Sequence, residues 1–339
     1  MTGKRRLRTS VHLELDRWGP AGSGRASVVS LGEAETYCRR LASSHYENFP
    51  LISWLLPKKL HQHFCNVYAY CRWADDLADE VNNPQESLQL LSWWNAELVQ
   101  CYAGTTWHPV FVALQQTIDE FQIPLDPFEQ LISAFEQDQR VWEYNTFDEL
   151  LDYCRRSANP VGRLVLFVCG KHNEYTIHWS DLVCTGLQLA NFWQDVNRDF
   201  NIGRVYLPQQ DCRRFNYTRQ DIENRVTNSA FLELMKFQVQ RTRRYLFAFE
   251  LLVLELPSRL QVEVELFARG GLKILDRIET IGYCVWDTRP TVSKWDILGL
   301  FLRSYSRRLL RQFGHHHVHP AEVDPEIDKV EAVQLRSLK

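Results

Sequence analysis

The chain has 339 residues, 45% of them hydrophobic and 24% charged. That is enough apolar material for a sizeable core and excludes a mainly disordered chain. With 39 basic and 42 acidic residues the net charge is −3, so the overall basic excess of a nucleic-acid binder is missing. Glycine is sparse for a nucleotide-binding α/β fold, at 15 residues, whereas tryptophan reaches 11. The nine cysteines are odd in number and form no C-x-x-C pair, which argues against zinc or a disulfide framework and for free thiols in a reducing cytoplasm. No run of about 18 apolar residues is present to cross a membrane. The first 29 residues also lack the apolar stretch of a signal peptide. A cytoplasmic protein follows, soluble or at most peripheral on the inner face of the membrane.

Residues 1–29, with Gly-Pro-Ala-Gly-Ser-Gly at 19–24, read as a flexible arm. From residue 31 the apolar spacing is helical almost without interruption. It predicts helices near 31–43, 57–80, 85–103, 108–121, 127–142, 146–170, 177–200, 219–224, 229–256, 258–282 and 294–312. Pro57, Pro127 and Pro257 punctuate them, and Asp126 and Ser180 are the expected caps of two. No alternating strand pattern or fixed-period repeat is seen. The expectation is an all-α domain over 30–313 with a central cavity between facing helices, followed by a flexible tail over 314–339.

Two acidic segments carry chemistry. In YAYCRWADDLADE at 68–80, Asp75 and Asp79 are four apart, as are Asp76 and Glu80. Positions four apart on a helix lie about 40° from one another, so each pair shares a face. Paired carboxylates repel unless a cation compensates, and the apolar residues before them suit a buried helix. In QLANFWQDVNRDFNIGRVYLP at 188–208, Asp195 and Asp199 repeat the spacing behind Asn191 and Gln194, with Arg198 and Arg204 nearby. Two such helices set face to face would hold magnesium, a hard cation that bridges carboxylates to substrate phosphates. Arg72, Arg198 or Arg204 would then take the outer oxygens of a diphosphate. No Glu-x-x-His pair supports a di-iron bundle, and no glycine-rich loop supports a dinucleotide fold. Ionisation of a prenyl diphosphate in a water-poor, aromatic-walled pocket remains.

The two aspartate motifs, Gly203-Arg-Val-Tyr-Leu-Pro208 and YCRRSANPVGRL at 153–164, in that context, resemble the squalene/phytoene synthase family from about residue 33 to 300. The resemblance implies an all-α isoprenoid-synthase fold, magnesium dependence and polyprenyl diphosphate substrates. It implies that Asp75, Asp79, Asp195 and Asp199 are metal ligands, with Asp76, Glu80 and Asn191 as further candidates. Arg72, Arg204 and Asn191 would contact the diphosphate or its metals, with Tyr68, Gln194 and Arg198 as additional substrate contacts. Tyr153 would lie near the reacting carbons, and His45, in a short polar segment, would reach the diphosphate.

Within the family, SSHYENFP at 43–50, YCRRSANPVGRL and QLANFWQDV are most similar to the bacterial hydroxysqualene synthases of hopanoid biosynthesis. That branch implies ionisation of presqualene diphosphate, rearrangement and capture by water. It implies a partner enzyme that forms the substrate and another that reduces the product. Gln194 departs from the arginine that many phytoene and eukaryotic squalene synthases carry before the aspartate. The alternative is head-to-head condensation of two farnesyl diphosphates to squalene, with NADPH, or of two geranylgeranyl diphosphates to phytoene. A basic amphipathic stretch, WDILGLFLRSYSRRLLR at 295–311, offers a peripheral membrane contact.

Overall fold

The computed structural model describes residues 10–44, 57–81 and 83–292. Its elements are α1 (Ser10–Trp18), α2 (Leu31–Ser44), α3 (His61–Asp79), α4 (Pro84–Tyr102), α5 (Pro109–Phe121), α6 (Asp126–Asp138) and α7 (Phe147–Ser157). They continue with α8 (Asn159–Val168), α9 (Glu174–Asn201), α10 (Gln209–Arg214), α11 (Arg219–Glu223), α12 (Ser229–Phe247), α13 (Phe249–Leu252) and α14 (Ser258–Thr280). Among the described residues there is no strand, only an isolated parallel bridge between Glu143 and Val205. The expected all-α class holds, in an isoprenoid-synthase-like arrangement. The 294–312 helix, His45 and the 314–339 tail lie outside the described residues.

Local chemistry explains most helix ends. Asn83 caps α4 by accepting from the Gln85 and Glu86 amides, with Pro84 at the first helical position. Thr146 caps α7, and Asn173 with Thr176 forms a capping box that opens α9 three residues before its expected start. Two expected caps fail. Leu125 precedes α6 without a side-chain cap, Asp126 already being helical, and Ser180 is buried inside α9. The single helix expected over 146–170 breaks at Ala158, because Pro160 has no N–H to continue the ladder. The helix expected over 229–256 ends at Phe247 and continues as α13 and a 3-10 turn. The short α10 was not expected.

The arm expected over 1–29 is in part structured: α1 buries Val11 and Trp18. The Tyr37 hydroxyl ties α1 to α2 by donating to Glu14 Oε2 at 2.7 Å while accepting from Trp73 Nε1 at 3.0 Å. The tryptophans were a sound sign of an aromatic helical core. Trp73 and Trp94 stack at 5.2 Å and meet the His108 ring edge-on at 4.8 and 5.0 Å. His108 Nδ1 accepts from the Val110 amide at 3.2 Å, and full burial drives its pKa well below the ordinary value. It is a neutral core histidine. All nine cysteines are free.

Two groups of helices result. α3 packs on α2, α4 and α5, while α9 packs on α8, α12 and α14. α6 touches α3, α4, α7 and α8 and joins the groups. The two acidic helices therefore belong to different groups and do not pack extensively on each other. Their acidic ends are linked by Arg204, which reaches Asp79 from the chain that follows α9.

Candidate active site

The half-exposed side of α3 carries Tyr68, Arg72, Asp75, Asp76 and, past its end, Glu80. Asp79 is more exposed. Arg72 serves three of these acids. It pairs with Asp76 at close range, with Asp75 Oδ2 at 3.3 Å and with Glu80 Oε1 at 3.4 Å. Burial, then repulsion from Asp79, raises the Asp75 pKa to about 6. Burial also raises Asp76 to about 6 against the pull of Arg72. Burial raises the pKa of Tyr68, one turn before Arg72.

On α9, Asn191, Asp195 and Asp199 follow at one-turn spacing, with Asn191 exposed and Asp195 buried. Asp195 is held from outside its helix. Arg289 Nε donates to Oδ1 at 2.5 Å and Nη2 to Oδ2 at 3.1 Å, a two-pronged guanidinium–carboxylate pair. Arg198, 67% exposed, stands 3.7 Å away from the same carboxylate. Asp199 Oδ2 is buried with no hydrogen-bond partner. Burial and the neighbouring Asp195 raise the Asp199 pKa to about 7.

The chain between α9 and α10 connects the two sides. Gly203 adopts φ +84°, which turns the chain sharply after α9. The Val205 amide then donates to the Trp142 carbonyl at 2.7 Å. That anchor places Arg204 so that Nη2 reaches Asp79 Oδ1 at 3.3 Å, a contact from the α9 motif to the α3 motif. Tyr206 stacks on Phe192 with ring centroids 3.8 Å apart, beside Tyr144 and Tyr153. A narrow cleft of about 10 Å³ lies among Asp199, Arg204, Tyr206 and Trp286.

The structure thus brings most of the expected residues to the two sides of the Arg204–Asp79 contact, with two corrections. The four aspartates do not converge: among the described residues no three acidic, histidine or cysteine side chains stand close enough to share one ion. Arginines occupy the carboxylates instead. Gln194 is engaged within the fold. Its amide is buried and donates to the Pro290 carbonyl at 2.7 Å, fastening the segment that carries Arg289.

Arg289 and Asp138 went unnoticed in the sequence. Arg289 has no local signal, being 94 positions from its partner. Asp138 did have one. It ends the buried stripe Phe128, Leu131, Ala134 at helical spacing, and an acid on such a stripe calls for a partner. That partner is Tyr153, whose hydroxyl donates to Asp138 Oδ2 at 2.9 Å.

The residues present suit divalent cations. Asp75, Asp79, Asp195 and Asp199 offer hard oxygen donors, and the orphaned Asp199 oxygen lacks any positive or donor partner at hydrogen-bond distance. Such a buried acceptor is costly without compensation.

Comparison with known proteins agrees with this geometry. The family model described as squalene/phytoene synthase matches residues 42–296. The phytoene synthase of Arthrospira platensis is 32% identical over 271 residues, covering 76% of this chain and 88% of that protein. The 15-cis-phytoene synthase of Synechocystis is 31% identical over 84% of this chain and 87% of its own length. Among solved structures, the squalene synthase HpnC of Alicyclobacillus acidocaldarius is 40% identical and superposes with a TM-score of 0.72, over 75% of this chain and 95% of that one. A dehydrosqualene synthase, 23% identical, shares the fold with a TM-score of 0.73 over 82% and 97% of the respective chains. With aspartates spaced four apart on two opposed helices and a family model that spans most of the chain, the protein belongs to the squalene/phytoene synthase family.

Proposed function

We propose that the protein ionises presqualene diphosphate and captures the rearranged cation with water, giving hydroxysqualene, diphosphate and a proton. One observation carries the reading: carboxylates and arginines from two separate helix groups meet through the Arg204–Asp79 contact next to stacked aromatic rings. Asp75, Asp79, Asp195 and Asp199 would hold magnesium, with Asn191, Asp76 and Glu80 beside them. Magnesium bound there would supply Lewis acidity to the leaving diphosphate.

The chain's own groups supply the rest. Arg72 and Arg204, now paired with acids, can turn to diphosphate oxygens as charge-assisted donors once those acids are otherwise neutralised. The C–O bond of the substrate breaks with its electron pair leaving on diphosphate. Tyr206, Phe192 and Tyr153 form a buried aromatic cluster beside these groups, and a ring face turned toward the allylic or cyclopropylcarbinyl cation would stabilise it. The aromatic wall also keeps bulk water away until capture.

Support for this branch is the 40% identity to a squalene synthase against 31–32% to the two phytoene synthases. The latter identities favour the second reading, head-to-head condensation of two geranylgeranyl diphosphates. Condensation of two farnesyl diphosphates with NADPH is the third. The test uses purified protein with magnesium and no NADPH, given presqualene, farnesyl or geranylgeranyl diphosphate separately. Hydroxysqualene from the first alone supports the proposal. Presqualene diphosphate made from farnesyl diphosphate, or phytoene from geranylgeranyl diphosphate, overturns it. Under this reading the water-insoluble product favours a position at the inner face of the membrane. No described helix is long and apolar enough to cross a bilayer, and the stretch 295–311 would be the contact. It would also place the protein between an enzyme that forms presqualene diphosphate and one that reduces hydroxysqualene.

A further inference from the structure

Asp138 is buried, 6% exposed, at the end of α6, and a carboxyl there must be compensated. Its Oδ2 accepts from the Tyr153 hydroxyl at 2.9 Å. The positive charge of Arg204 also acts on it and opposes the effect of burial, which raises its pKa to about 6. Tyr153 has one hydroxyl proton, and that proton is committed to Asp138.

We infer that Asp138 is a positioning residue for the capture step: by holding the Tyr153 proton it leaves the phenol oxygen able only to accept. This inference rests on the proposed function. A water arriving at that oxygen must donate to it, which turns the water's lone pairs outward, toward the cation. Were the Tyr153 proton free, it would donate to the water oxygen and occupy a lone pair needed for the attack. Asp138 thereby sets the balance between two fates of the cation. In one, a C–O bond forms and the added water loses a proton to give the alcohol. In the other, the cation loses a proton from carbon and gives a hydrocarbon. Diphosphate departure precedes both and does not depend on the pair.

The test compares the wild type with Asp138→Ala, Asp138→Asn, Tyr153→Phe and the double variant Asp138→Ala/Tyr153→Phe. Each is given magnesium and presqualene diphosphate, and diphosphate release is measured beside the ratio of alcohol to hydrocarbon. Asp138→Ala is expected to lower the ratio by about tenfold while diphosphate release stays within about threefold, and Tyr153→Phe to lower the ratio by a similar factor. Asp138→Asn keeps a carbonyl acceptor for the hydroxyl and should restore most of the ratio. The double variant should fall no further than Tyr153→Phe, since both changes remove one device.

An unchanged ratio in Asp138→Ala overturns the inference. So does a multiplicative loss in the double variant, or an equal loss of diphosphate release and alcohol. If Asp138→Ala does not fold, Asp138→Asn against Asp138→Leu makes the same comparison. If the wild type instead condenses farnesyl or geranylgeranyl diphosphate and forms no alcohol, the functional reading and the capture role both fail. The coupling of Asp138 to Tyr153 is then still decided by whether their effects on rate and hydrocarbon distribution are non-additive.

Discussion

The two acidic motifs have the same spacing but are neutralised differently. On α3 the compensation is local: Arg72 lies three to eight positions from the acids it serves, and the group is partly exposed. On α9 it is tertiary. Asp195 is buried and relies on Arg289, from a segment tied down by Gln194 to the Pro290 carbonyl and by Asn197 to the Trp286 carbonyl. Asp199 keeps a buried oxygen with no hydrogen-bond partner. The first motif is mainly a local charge cluster with one long-range pair, Asp79 with Arg204, whereas the second is held in shape by the closure of the fold.

The largest expected effect breaks both sides equally. Asp79→Ala and Asp199→Ala should each cost at least about a hundredfold in kcat with magnesium, since each removes a proposed metal ligand. Steady-state diphosphate release checks this, and a near-wild-type rate in either variant removes that aspartate from the proposed metal set.

Stability separates the two motifs. Arg289→Ala leaves the buried Asp195 charge with only the distant, exposed Arg198, and should cost about 2–3 kcal/mol in urea unfolding without metal. Arg72→Ala acts on a more solvated cluster and should cost no more than about 1 kcal/mol. Magnesium should recover more of the first loss than of the second. Equal losses would end the distinction drawn here.

Glu263 on α14 sharpens the comparison as a carboxyl with burial but no cation among its influences. Its Oε1 is buried without a partner, and desolvation alone raises its pKa to about 8. The sign follows from proton binding. Between about pH 4.5 and 8 the unfolded chain loses this proton before the folded one does, so this group's contribution to stability falls as pH rises. Glu263→Gln should flatten that part of the profile and gain about 1–2 kcal/mol at pH 8. Thermal unfolding from pH 5 to 9 is the measurement, and parallel profiles for wild type and variant would refute it.

The smallest effect concerns Gln194. As a fastener of the Arg289 segment rather than a substrate contact, Gln194→Ala should cost about 1 kcal/mol of stability and leave KM within about threefold. A tenfold rise in KM with unchanged stability would return Gln194 to the substrate side.

The sequence by itself determined the all-α class, most helix positions, the two carboxylate pairs and the family. Each depends on short-range periodicity or on a linear motif, and both survive without knowledge of the fold. Capping and proline breaks were legible in principle, and Pro160 marks where continuous apolar spacing was given too much weight over a missing N–H. Tertiary structure alone decided which charges meet. Arg204 crosses to Asp79 over 125 positions and Arg289 to Asp195 over 94. Asp138 and Tyr153 come from separate helices that only packing brings together. The underlying reason is that helical periodicity tells which face a side chain shares, whereas its partner depends on where another helix lies, and that follows from burying the whole apolar surface at once.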